Sequence, residues 1–171
     1  QSAAYMTSLS DGSFVETSQS YHQDGDEYGI YGQKYDSSGN VSGSEFQIST
    51  STSGRQEQAQ VTALLDGGFV VAWQDDSGLD GSDLGIFGQR YDKYGNTVAS
   101  EFQINTHTSD GQEQVHVEGL KDGGFVVTWT GQDASGNGIF AQRYSASGEK
   151  DGSEFRVNTY QNGNEMHAEV T

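Results

Sequence analysis

The sequence predicts an all-β fold of antiparallel four-stranded repeats, arranged like propeller blades. Three observations lead there. One strand-like phrase occurs three times, as "GIYGQKYD" at residues 29–36, "GIFGQRYD" at 85–92 and "GIFAQRYS" at 138–145. The phrases "LSDGSFV", "LLDGGFV" and "LKDGGFV" place Asp11, Asp66 and Asp122 in register, 55 and 56 residues apart. No stretch holds a helical i, i+3, i+4 apolar pattern over three turns. A fixed period of this length marks a repeat architecture, and four short strands per period is the blade pattern.

Each unit divides into four strand-like stretches separated by turn chemistry. In the second unit they read "AQVTAL", "GFVVAWQ", "GIFGQRYD" and "EFQINT". Asp66-Gly67 marks a hairpin between the first two, with both residues tolerant of positive φ. Between the third and fourth, "SSGN", "KYGN" and "ASGE" serve the three units in turn. Period-two alternation puts Phe69, Val71 and Trp73 on one face. On the next strand Ile86 and Gly88 fall on one side, and Phe87, Gln89 and Tyr91 on the other. Both sides carry apolar groups, as stacked sheets require. The first unit departs from the pattern, with Thr17 expected where the others have Trp73 and Trp129.

The chain therefore reads as one repeat domain, 1–171, with units at about 1–52, 53–108 and 109–162. Residues 163–171 form an extra first strand, since Val170 lies eleven residues past Thr159, as Val61 does past Thr50 and Val117 past Thr106. Three blades do not close a ring of ordinary size, and an unpartnered strand beside an open sheet invites another chain. Met166, Ala168 and Val170 are the candidate assembly residues, with further copies of the repeat as partner, in an oligomer or a filament. A β-trefoil is the alternative fold, although it leaves the extra strand without a role.

Charge narrows the partners. The chain of 171 residues carries 25 Asp and Glu against 8 Lys and Arg, a formal net of -17. Nucleic-acid phosphates and anionic lipid surfaces would be repelled by this field. No apolar run has the length of a membrane helix, so no membrane insertion is expected. With no Cys, disulfides, thiolate metal sites and Cys nucleophiles are excluded.

The units differ most in the loops between their second and third strands, where binding specificity commonly resides. Asp24, Asp26 and Glu27 in the first, and Asp75, Asp76, Asp80 and Asp83 in the second, supply the hard oxygens that calcium takes. The third loop keeps Asp133 alone. The plainer reading makes these solvated acidic turns. Tyr31, Phe87 and Phe140, with Gln33, Gln89 and Gln142, are candidates for a sugar-stacking platform. Their plainer role is packing, with the amides bonded to backbone. Lys34, Arg90 and Arg143 are expected to pair with carboxylates such as Glu45, Glu101 and Glu154. The histidines occupy unrelated repeat positions, and no zinc-protease or nucleophile-elbow motif accompanies them, so no enzyme is expected.

"DGGFVVTW" at 122–129, "GIFGQRYD" and "SEFQINT" resemble tandem repeats of large secreted bacterial proteins of the RTX, or hemolysin-type calcium-binding, adhesin group. The resemblance covers nearly the whole chain. It implies an extracellular or cell-surface location, calcium-rich surroundings, and a part in adhesion or ligand display. The glycine- and aspartate-rich nonapeptide that binds calcium in that group is absent, so calcium ligation does not carry over. The expected function is a non-enzymatic extracellular module for adhesion or ligand binding, with a glycan as one candidate ligand and calcium as the candidate cofactor. The alternative is a self-assembling structural subunit of a filament or surface layer, joined through its C-terminal strand.

Overall fold

A computed structural model describes residues 2–82, 84–109, 111–133 and 136–159. Twelve strands and no helix occur among the described residues. The first sheet contains β1 (Ser2–Ser8), β2 (Phe14–Tyr21), β3 (Tyr28–Tyr35) and β4 (Phe46–Gln47). The second contains β5 (Gln56–Ala63), β6 (Phe69–Asp75), β7 (Gly85–Tyr91) and β8 (Thr97–Gln103), and the third β9 (Glu113–Gly119), β10 (Phe125–Asp133), β11 (Gly136–Tyr144) and β12 (Phe155–Arg156). Each sheet is an antiparallel meander built from one unit. All named ladders join strands of the same unit, which is blade topology; a trefoil barrel would pair strands across units. The extra strand expected at 163–171, with Met166, Ala168 and Val170, lies outside the described residues.

The hairpins are built differently from the expected turn. Gly67 is left-handed, at φ +85°, whereas Asp66 is not. The Gly67 N–H donates to Leu64 O at 3.0 Å, and Leu64 N–H to Gly68 O at 2.8 Å. This is a type I turn followed by a left-handed glycine, the three-residue hairpin. Asp66 fixes it by accepting the Gly68 N–H at 2.9 Å, which explains why the aspartate recurs.

Packing follows the alternation read from the sequence. Phe69, Val71, Trp73, Phe87 and Tyr91 of the second sheet meet Leu9, Val15, Ile30 and Ile48 of the first in one core cluster. Val70, Ala72, Ile86 and Ile104, on the opposite side, meet Val115, Val117, Phe125, Val127 and Trp129 of the third in another. The second sheet is thus sandwiched, and β6 is buried along its whole length.

Pairing register corrects the reading of the first unit. Ser18 lies across from Tyr31, as Trp73 lies across from Phe87 and Trp129 from Phe140. Ser18, not Thr17, therefore stands in the tryptophan position, and Glu16 stands where β6 has Val71. The same assignment follows from the 55-residue spacing of Asp11 and Asp66, which sets Ser18 in line with Trp73.

Polar links tie each sheet to the next. At a bulge in β5, Gln58 has φ +55°, and its N–H donates to Gln19 Oε1 of the first sheet at 3.2 Å. Gln114 repeats this in β9, with φ +56° and a 3.3 Å bond to Gln74 Oε1. Bulges commonly place a backbone donor where a ladder would not.

Candidate functional site

Where the first unit ends against the second, a cleft of about 540 Å³ opens, lined by Thr50, Leu79, Gln89, Thr97, Ala99, Ser100 and Glu101. Its floor comes from β7 and β8. Gln89 is buried, and its Nε2 donates to Arg90 O at 2.9 Å and Ala99 O at 3.2 Å. Ala99 is held left-handed, at φ +64°, where the other units have Gly43 and Gly152 at +84° and +82°. One wall is Leu79, an exposed apolar side chain in the acidic β6–β7 loop. Glu101 supplies charge, and its Oε2 accepts the Thr50 N–H at 2.8 Å across the joint. Burial pushes the Glu101 carboxyl up, and the neighbouring Asp75 charge adds to the shift. Asp75 is also raised by burial, although Ser77 donates to it from N and Oγ.

At the next joint Lys150 occupies the Thr97 position and donates from Nζ to Ile104 O at 3.1 Å. An apolar wall, hydroxyls and a carboxylate line this shallow concavity, whose volume falls within the range of small-molecule sites. Of these residues the sequence singled out Gln89 as a ligand group and Glu101 as an ion-pair partner. A leucine stranded among aspartates was the available signal for the rest.

The other candidates lie elsewhere. Tyr31 and Phe87 are buried, Phe140 is partly buried beside Trp129 with ring centroids 6.5 Å apart, and Gln142 is fully enclosed. Gln33 and Gln142 repeat the Gln89 pattern, donating to Lys34 O and Arg143 O, each at 2.9 Å. Tyr31 and Phe87 pack within the sheets, and the three glutamine amides tie strands together.

The cations do not pair with the expected glutamates. Arg90 binds Asp66 at 2.7 Å, Arg143 binds Asp122 and Asp151, and Lys34 Nζ donates to Lys93 O at 2.8 Å. Glu154 does what Glu101 does, accepting Thr106 N–H of the preceding unit at 2.6 Å. The glutamates are latches between units, while the arginines hold the hairpin aspartates of their own units.

Among the acidic loop residues, Asp24 accepts Asp26 N–H at 3.4 Å, and Asp26 accepts Gly54 N–H at 3.2 Å. Arg55 Nε bridges Glu27 at 3.4 Å and Asp76 at 2.7 Å. Asp80 accepts Ser82 N–H at 3.0 Å. Asp133 ends β10, and Asp83 lies outside the described residues. Among the described residues, no three His, Asp or Glu side chains converge as a metal-holding group.

No family model matches the chain, and no curated protein does. The fold is similar to that of an endo-arabinase from Bacteroides thetaiotaomicron VPI-5482, with a TM-score of 0.52 and 14% identity over 87% of this chain. The chain spans 59% of the arabinase's length. It is also similar to a fucose lectin from Kordia zhangzhouensis, solved in complex with methyl-fucoside, with a TM-score of 0.51 and 10% identity. That match covers 93% of this chain and 99% of the lectin. At such identities the likeness is one of fold, a β-rich architecture of repeated sheets.

Proposed function

We propose that the protein is a non-enzymatic, lectin-like module that binds glycans at the cell surface or outside the cell. The observation that carries this is the cleft at the first joint, which sets Leu79 against Thr50, Ser100 and Glu101. An apolar wall suits the C–H face of a sugar, and hydroxyl and carboxylate groups suit its hydroxyls. The near end-to-end match with a fucose lectin supports the reading. The resemblance of the repeats to secreted adhesin arrays supports the location and a role in adhesion. Calcium belongs to the proposal as a support for the acidic loops, and an unfolding midpoint that ignores millimolar calcium would remove it.

Titration calorimetry with methyl-fucoside, neutral monosaccharides and arabino-oligosaccharides tests the reading. Binding of a neutral sugar, weakened about tenfold by Leu79→Ala, is expected. Absence of any binding across a neutral glycan panel overturns it. Turnover of an arabinan would replace it with a hydrolase.

A further inference from the structure

The two joints inside the chain are copies of each other. In the first, Phe46 packs on Tyr91 of the next unit, with ring centroids 5.5 Å apart and planes at 55°. In the second, Phe102 packs on Tyr144 with the same separation and angle. Glu101 latches Thr50 in one, and Glu154 latches Thr106 in the other. Ile48 and Ile104, two residues beyond each phenylalanine, are sealed at 2% and 0% exposure.

Each end of the row of sheets carries half of a third such joint. On the last sheet, Phe155 and Val157 stand in the places of Phe46 and Ile48, and both are 51% exposed. On the first sheet, Tyr35 is stacked on Phe14 at 4.7 Å and 9°. Tyr91 on Phe69 and Tyr144 on Phe125 are stacked in the same way before they receive a phenylalanine from the preceding unit. Val41, 63% exposed, flanks Tyr35 on that sheet, and Glu45 holds the latch position.

We infer that a second copy of this chain docks head to tail, its first sheet seated on the last sheet of its neighbour, with Phe155 against Tyr35 of the second copy. The occupant is a second copy because the two ends differ from each other and each matches one side of joints the chain already makes. A face-to-face pairing of like ends has no such template. Two copies joined this way at both ends place six sheets in a ring, within the range of closed propellers.

The joint between copies is weaker than those inside the chain. Ser18 and Glu16 replace an indole and a valine, leaving a hollow of about 170 Å³ bordered by Gln33, Tyr35, Val41 and Glu45. Assembly is therefore reversible and depends on concentration. The glycan cleft lies within one copy, so its occupancy does not depend on this docking.

Sedimentation equilibrium of the full chain, from about 1 to about 200 μM, tests the inference. The expected mass rises from 18.4 kDa toward twice that value. Phe155→Glu and Val41→Arg, both at exposed positions, should each remove assembly while leaving the circular dichroism spectrum unchanged. Mixed together they should dimerise again, because each variant keeps the half that the other lost. A monomer throughout the range, assembly that survives both variants, or a mixture that stays monomeric would each overturn head-to-tail docking. A mass climbing beyond two copies would overturn the closed ring.

Discussion

Replacing Trp73 with serine should recreate in the second unit what the first already has. Trp73 is fully buried between the first and second sheets, whereas Ser18 at the same ladder position borders a hollow of about 170 Å³. Trp73 is sealed at 0% exposure, so replacing it with serine leaves an unfilled core, at a loss of about 4 kcal/mol, within the usual range for truncating a large buried aromatic side chain. For a chain of this size the unfolding midpoint should fall by roughly 10 °C. Urea unfolding followed by far-ultraviolet circular dichroism measures the change at a dilution where copies do not assemble. Trp129→Ser should cost about the same, since Trp129 occupies the same place in the next joint. A loss below about 1 kcal/mol at Trp73 would refute the packed joint. A large difference between the two variants would refute the claim that the joints are copies.

A double-mutant cycle between Arg90 and Asp66 should return about 0.5–1 kcal/mol of coupling, and one between Arg90 and Glu101 close to none. Burial raises the Glu101 carboxyl, so the folded state holds that proton more tightly than the unfolded chain does. This contribution favours folding in acid and is lost as pH rises through the raised value. Relative to Glu101→Gln, the wild type should therefore lose stability as pH rises from the ordinary carboxylate range through the raised value, and parallel profiles would take Glu101 out of the buried joint. Ala99→Gly should stabilise the protein by about 0.5–1 kcal/mol, because it relieves a left-handed residue that carries a Cβ. A lower unfolding midpoint would contradict that assignment.

The strands and their faces were legible because side-chain alternation is a local property, and Phe69, Val71 and Trp73 display it within five residues. The hairpin aspartates were legible as turns, yet their bond to arginine was not. Asp66 and Arg90 are 24 residues apart and meet only once β6 and β7 have paired in register. Glu101 and Glu154 were misread for a different reason. A repeated residue looks the same whether it serves its own unit or the one before, and only the stacking of sheets shows that these reach backward. The cleft was hidden because it belongs to a joint: Thr50 is 51 residues from Glu101, and its repeat position carries no sign of that contact.

All named ladders pair strands adjacent in the chain, so each sheet can form from a short contiguous stretch. Such local closure should favour rapid folding for an all-β protein. The hazard is confusion between neighbours, since β7 and β11 share most of their sequence and a strand from one unit can be offered to another. Glu16 and Ser18 work against that exchange. If β2 entered the slot of β6, a carboxylate would fall at the fully buried place of Val71 and a serine at that of Trp73, at a cost of several kcal/mol. The least typical unit thus proofreads the strand order of the other two.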